Sequence, residues 1–154
     1  YARVSCTPFN AQALEIIKDI KPDAVILSAR WMDQRTKNMS SLQDTVDTIR
    51  QLGPKVYILG QSPEFTTDIQ KIDYITGQYK GSKDGAWSLA FDPSINDLVK
   101  KHVQGATFID PLAYLCEGDT CEYREGKTLL YSDFGHFTRE GATRAVRAYL
   151  SKLE

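Results

Sequence analysis

Ala24-Val25-Ile26-Leu27 is an unbroken apolar run, preceded by Pro22-Asp23 and followed by Ser28-Ala29-Arg30-Trp31. Consecutive apolar residues between polar breaks fit a strand covered on both faces, as in a parallel sheet. Upstream, Ala13, Leu14, Ile17 and Ile20 fall on one face of a helix over 11–21, and before it Arg3 to Cys6 reads as a short strand ended by Thr7-Pro8. Downstream, Ser40 or Ser41 is placed to cap a helix carrying Leu42, Val46, Ile49 and Leu52 at helical spacing. Gly53-Pro54 ends that helix, and Lys55-Val56-Tyr57-Ile58-Leu59-Gly60 is the next strand. Strand and helix alternate in the order that builds a parallel α/β sheet with right-handed crossovers.

The second half is less regular. From Gln61 to Asp92 a helix is expected around Asp68 to Tyr79, then a loop rich in glycine and aromatics. Long loops at the carboxyl ends of parallel strands are where open α/β sheets bind ligands. Most of Phe65, Tyr74, Tyr79, Trp87 and Phe91 are nevertheless expected to pack this excursion onto the body. Asp92-Pro93-Ser94 opens a helix with Ile95, Leu98, Val99 and Val103 inward, and His102, beside two lysines, reads as a partly exposed structural histidine. Ala106 to Ile109 is the last core strand, ended by Asp110-Pro111. A short strand-like segment at Lys127 to Leu130 precedes a final helix capped by Thr138, with Ala142, Ala145, Val146, Tyr149, Leu150 and Leu153 on one face.

Composition narrows the function classes. With 154 residues, 42% hydrophobic and 25% charged, the chain is long enough for a real core and ordinary for a globular protein. Its 19 basic and 20 acidic residues are mixed along the sequence, so there is no basic block to track the phosphates of a nucleic acid. No apolar run approaches the roughly 20 residues that cross a bilayer. The opening Tyr1-Ala2-Arg3-Val4-Ser5-Cys6 resembles a strand already under way, so the chain is expected to be one domain whose true start lies upstream. Of the three cysteines, Cys116 and Cys121 flank the polar turn Glu117-Gly118-Asp119-Thr120. A small disulfide loop, implying an oxidising compartment, and a pair of unpaired thiols both fit that spacing.

Asp133-Phe134-Gly135-His136 carries the chemistry. A nucleophilic hydrolase needs a nucleophile, a base that takes its proton and a group that fixes the base. A carboxylate and an imidazole three residues apart, in a loop entering a helix, can be orienter and base. The pattern also arises by chance around a surface histidine. Other chemistries have less support. There is no glycine-rich phosphate loop after a strand and no dinucleotide fingerprint. Cys116, Cys121 and His136 match no common zinc spacing, so neither metal nor cofactor is expected. Asn38-Met39-Ser40 is a glycosylation sequon only where the source modifies such sites.

Asp133-Phe134-Gly135-His136-Phe137-Thr138, followed by Gly141-Ala142, resembles the last block of the SGNH hydrolase superfamily. More narrowly, three further stretches resemble the extracytoplasmic SGNH domains fused to bacterial membrane acyltransferases of family 3. They are Val25-Ile26-Leu27-Ser28-Ala29-Arg30-Trp31, Val56-Tyr57-Ile58-Leu59-Gly60-Gln61-Ser62-Pro63, and Leu115-Cys116 to Cys121 leading to Leu130-Tyr131.

The resemblance implies a three-layer α/β/α sandwich with a flavodoxin-like parallel sheet. It also implies Asp133 and His136 as two members of a Ser-His-Asp triad. The family's Gly-Asp-Ser nucleophile block is not present, its place falls upstream of Tyr1, and Ser5, Ser28 and Ser132 do not sit in that context. Where general SGNH hydrolases carry an Asn that donates to the oxyanion, this chain has Ser28-Ala29-Arg30-Trp31. Ser28, Arg30, Trp31 and Gln61 are therefore the candidate substrate or oxyanion contacts. The implied function is O-acyl transfer, most often of acetyl, to a bacterial cell-surface glycan, or hydrolysis from it. The domain would be periplasmic or otherwise extracytoplasmic, tethered by an upstream transmembrane region of a larger acyltransferase chain, with an acyl donor and a glycan acceptor as partners. The alternative is a non-catalytic glycan-binding or scaffolding domain of the same fold.

Overall fold

The structure is a computed structural model that describes residues 6–32, 39–78 and 85–150. Of the strand expected over Arg3 to Cys6, residues 3–5 lie outside the described residues, as do the sequon residue Asn38, Tyr79 and Leu153, and Cys6 is helical instead. Helix α1 (Cys6–Ile20) begins earlier than its apolar stripe suggested and takes in Thr7-Pro8. Proline is tolerated there because the first-turn N–H groups have no helical acceptor to lose.

Strand β1 (Ala24–Ser28), helix α2 (Ser40–Gln51) and strand β2 (Lys55–Leu59) follow. The capping position of α2 falls to Met39 rather than to a serine, and no side-chain cap bond is made there. Met39 is buried, and its carbonyl accepts from the Leu42 N–H at 3.1 Å. Packing of an apolar residue at the helix entrance replaces the hydrogen-bonded cap expected from Ser40 or Ser41.

After α3 (Ile69–Gln78), a short strand β3 (Ala86–Ser88) leads to α4 (Ser94–His102), β4 (Thr107–Ile109) and a single turn of helix, α5 (Leu112–Leu115). The capping position of α4 falls to Pro93, and Asp92 before it accepts from the Ser94 N–H at 2.9 Å. Strands β1, β2 and β4 form a parallel sheet in that spatial order, with Val25 opposite Val56 and Ile58 opposite Phe108. The remaining elements are the hairpin β5 (Cys116–Glu117) and β6 (Thr120–Glu122), the hairpin β7 (Arg124–Glu125) and β8 (Thr128–Leu129), and the closing helix α6 (Arg139–Leu150). Strand β3 pairs antiparallel with β6, and Cys116 and Cys121, cross-strand partners of the β5–β6 hairpin, are joined in a disulfide.

The alternation of side chains along β2 and β4 sorts the layers. Val56 and Ile58 pack with Val46 and Ile49 of α2 and Val99 of α4, and Leu14 and Ile17 of α1 lie against this cluster. Tyr57 and Ile109 point the other way and pack with Leu115, Ala145 and Tyr149 of α5 and α6. The architecture is therefore helix, sheet, helix. Fully burying one such aliphatic side chain contributes about 2 kcal/mol.

Strand β1 departs from the expectation of burial on both faces. Ala24, Ile26 and Ser28 are exposed, Ile26 to 52%, while Val25 and Leu27 are half-buried. The reason is position. Among the described residues β1 is an edge strand, and α6 covers β2 and β4 but leaves the same face of β1 open. A trough of about 230 Å³ runs there between Ile26, Leu59 and Val146, and Val146 and Leu150 are also about half exposed.

Gly60 and Gly141 are among the glycines that permit close approaches. A Cβ at Gly60 would meet Asn96 Oδ1 and Phe108 Cζ, both at 2.8 Å, and one at Gly141 would overlap the Leu130 carbonyl. Backbone cannot yield as a flexible side chain can, so Gly141→Ala should lower stability by about 3 kcal/mol. In thermal unfolding that corresponds to a midpoint about 10 °C lower; an unchanged midpoint would show that α6 is not seated on Leu130. Reduction of the denatured chain should expose two thiols beyond those titrated without reductant, and no gain would exclude the Cys116–Cys121 bridge.

Candidate active site

Asp133 and His136 lie in a tight loop between β8 and α6. Its base is closed by backbone hydrogen bonds from Ser132 N–H to the His136 carbonyl at 2.8 Å and from Thr138 N–H to the Leu130 carbonyl at 2.9 Å. Beneath it Tyr131 stacks on Phe137 at 4.7 Å and meets the edge of Phe65 at 5.1 Å. Thr138 Oγ1 accepts from the Gly141 N–H at 3.1 Å, so the loop runs straight into a capped helix. Thr138 and Gly141 of the motif thus have capping and packing roles, and Asp133 and His136 are its candidate chemical pair.

The Asp133 carboxylate is held from two sides. Oδ1 accepts from the backbone N–H groups of Gly135 at 2.9 Å and His136 at 2.8 Å, and Oδ2 lies 2.8 Å from His136 Nδ1. Those backbone donors, the Gly135 bond first, hold the carboxyl down from its ordinary 3.8 to about 2, with the imidazole adding to the effect and desolvation opposing it. An ionised carboxylate only accepts, so in the neutral imidazole Nδ1 carries the proton and Nε2 keeps its lone pair. The imidazole side chain is 79% exposed, leaving Nε2 accessible as a base. Ser132 is not aimed at that atom. Its hydroxyl donates to the His136 carbonyl at 3.1 Å.

The loops after the parallel strands converge beside this pair. Arg30, just past β1, makes a two-pronged ion pair with Glu64, Nε to Oε1 and Nη2 to Oε2 both at 2.8 Å. Trp31 is buried, and its indole N–H donates to the Leu59 carbonyl at 2.8 Å. Gln61 is buried too. Its Oε1 accepts from Met32 N–H at 3.3 Å, and its Nε2 donates to the Ser62 carbonyl at 3.0 Å and to Glu64 Oε1 at 3.1 Å. Ser28 is exposed at the end of β1. The 61–65 segment therefore ties the ends of β1 and β2 together, and the Phe65 N–H carries it to the dyad loop by donating to the Phe134 carbonyl at 2.8 Å.

Sequence reasoning passed over Glu64, Asn96 and Asp110. Asn96, on α4, is 2% exposed and clamps Gln61: its Oδ1 accepts from the Gln61 N–H at 2.6 Å, and its Nδ2 donates to the Gln61 carbonyl at 3.2 Å and to Asp110 Oδ1 at 2.7 Å. The available signal was an Asn between Ile95 and Val99 on a helix otherwise sorted by hydropathy, together with an Asp at a strand end. No group of three metal-ligating side chains is found among the described residues, nor a helix long and apolar enough to cross a membrane.

Two observables follow from the dyad. In its neutral form the His136 ring should be the Nδ1–H tautomer by nitrogen-15 NMR, and Asp133→Asn should shift the ring toward Nε2–H; an Nε2–H ring in the wild type would contradict the assigned hydrogen bond. Because the folded-state pKa of Asp133 is depressed, its stabilising contribution is present above the ordinary carboxylate value and is lost as pH falls through about 2. The Asp133→Asn variant should lack that pH dependence.

Over residues 1–151 the chain matches the family described as SGNH domain (fused to AT3 domains). Among solved structures it is similar to the lipopolysaccharide acetyltransferase periplasmic domain of Salmonella ser. Paratyphi A, with a TM-score of 0.82 and 19% identity. The alignment covers 98% of this chain and 64% of that one, so the chain spans less than two thirds of that relative's length. At that identity the likeness speaks for the fold, a parallel α/β sandwich. No curated protein sequence matches. The match over nearly the whole length decides membership: the chain belongs to the family of SGNH domains that are fused to AT3 domains.

Proposed function

We propose that this chain supplies the base and the orienter of a Ser-His-Asp centre for O-acyl transfer to, or hydrolysis from, a bacterial cell-surface glycan, with acetyl as the acyl group. The observation that carries the reading is the Asp133–His136 pair itself. A carboxylate fixed by two backbone donors holds Nδ1 at 2.8 Å and leaves Nε2 facing solvent beside the carboxyl ends of the parallel strands. Family membership supports an acyltransferase-related role, and the neighbour's activity on lipopolysaccharide motivates the glycan as acceptor.

The nucleophile, in this reading, is a serine in a segment N-terminal to Tyr1. That segment adds a strand to the open edge of β1 and covers the trough between Ile26 and Val146. Exposed apolar side chains over a bare strand face support such a cover, since burying Ile26 and Val146 would each contribute about 1 kcal/mol.

His136 Nε2 takes the proton of the serine hydroxyl as its oxygen attacks the acyl carbonyl. The leaving oxygen or sulfur of the donor then collects that proton, and an acyl-serine remains. A sugar hydroxyl or water attacks next, losing its proton to Nε2, which returns it to the serine as the acyl group departs. Asp133 stays ionised and steadies the imidazolium. Backbone N–H groups near the serine receive the oxyanion. In this reading Ser28, Arg30, Trp31 and Gln61 are the candidate substrate or oxyanion contacts, with Arg30 paired to Glu64, the Trp31 indole bound to the Leu59 carbonyl and Gln61 bound to Glu64.

The chain would work outside the cytoplasm as part of a larger membrane acyltransferase. The disulfide fits an oxidising compartment, and fusion to AT3 domains in the family fits a membrane tether. In the full-length protein, His136→Ala should abolish acyl transfer, and Asp133→Asn should cost about three to four orders of magnitude in turnover. Undiminished activity in either would sink the triad and favour a binding or scaffolding role.

A further inference from the structure

We infer that Glu64 is a positioning residue for the Asp133–His136 pair, and that Gly135 lies between the two because nothing larger lets the Glu64 stem pass. The inference rests on the proposed roles of Asp133 and His136 for its catalytic consequence but not for its geometry.

Glu64 is nearly buried, its side chain 10% exposed, and its carboxylate is fixed from three donor atoms: Arg30 Nε and Nη2 and Gln61 Nε2. Gln61 is itself anchored to Asn96 and hence to Asp110, so the carboxylate end cannot drift. With its head fixed, the methylene stem becomes a rigid wall. That wall meets the dyad loop at Gly135, where a Cβ would come within 2.9 Å of Glu64 Cγ and 3.5 Å of Cδ.

The main chain on either side of Glu64 grips the neighbourhood as well. Phe65 N–H donates to the Phe134 carbonyl at 2.8 Å, and Ala90 N–H donates to the Glu64 carbonyl at 2.8 Å. Phe134 and Gly135 are the two residues between Asp133 and His136, and the Gly135 N–H is one of the two backbone donors to Asp133 Oδ1. A shift of the stem therefore moves a hydrogen bond that fixes the orienter, and through it the imidazole. The Arg30–Glu64 pair transmits the position of the β1 end to the base. Small displacements of a reacting group cost rate steeply, about a hundredfold for roughly 1 Å, so the pair matters to turnover without touching substrate.

The test is a double-mutant cycle read by NMR and by rate. The chain has two histidines, so His102, whose Nδ1 lies 2.9 Å from the Leu98 carbonyl on α4, is an internal control for His136. Glu64→Gln keeps the size and removes the charge, and Gly135→Ala pushes on the stem. Each should shift the His136 ring resonances while leaving those of His102 in place. In the full-length protein each should lower kcat about tenfold or more with KM unchanged. In a Glu64→Ala background, adding Gly135→Ala should cause little further change, because the wall is gone. His136 resonances unmoved by both single variants, or strictly additive effects in the cycle, would overturn the inference. Should Glu64→Gln fail to fold, Glu64→Asp, which shortens the stem by one methylene, decides by the same NMR comparison. The rate loss in His136→Ala separately judges the catalytic reading, so failure of one is distinguishable from failure of the other.

Discussion

One carboxylate satisfies three donors in this structure. Asp133 Oδ1 takes the N–H groups of Gly135 and His136, and Oδ2 takes the imidazole Nδ1. The first two bonds fold the loop and the third orients the ring, so the same group that shapes the turn sets the tautomer. The arrangement is local in sequence, but its place in the molecule is not. Thr138 caps α6, Gly141 lets α6 press against Leu130, and Phe65 holds Phe134 from the far side. These contacts deliver the pair to the end of the sheet where the Arg30 and Gln61 loops also arrive.

The sheet then explains what the pair has to work with. Strands β2 and β4 are covered on both faces, whereas β1 keeps a bare face and an edge that no described strand pairs. An apolar residue such as Ile26, half exposed on an edge strand, is a liability for aggregation unless something covers it. In the proposed function the edge of β1 takes a partner and Nε2 takes the proton of a hydroxyl. In the proposed mechanism one added strand with its following segment answers both.

Much of this was legible in the residues. The runs Ala24–Leu27 and Lys55–Gly60 announced parallel strands because consecutive apolar residues between polar breaks mark a strand locally, and the dyad was visible because three-residue spacing survives folding unchanged. What escaped depends on distant partners. The exposure of Ile26 follows from where α6 stops, which no local pattern records. The entrance to α2 went to Met39 because a buried side chain outweighed a serine cap. The pairing of β3 with β6 joins three-residue strands far apart in the chain. Glu64 and Asn96 were not singled out, since their burial comes from Arg30, Gln61 and Asp110 arriving by separate routes.

In the proposed function His136, oriented by Asp133, activates a serine carried by a segment that completes the edge of β1. The most direct measurement is labelling of the full-length protein with a serine-directed phosphonate, followed by peptide mass mapping. The expected result is a single modified serine N-terminal to Tyr1, with labelling lost in His136→Ala. Modification of a serine within the 154 residues, or labelling indifferent to His136, would contradict it.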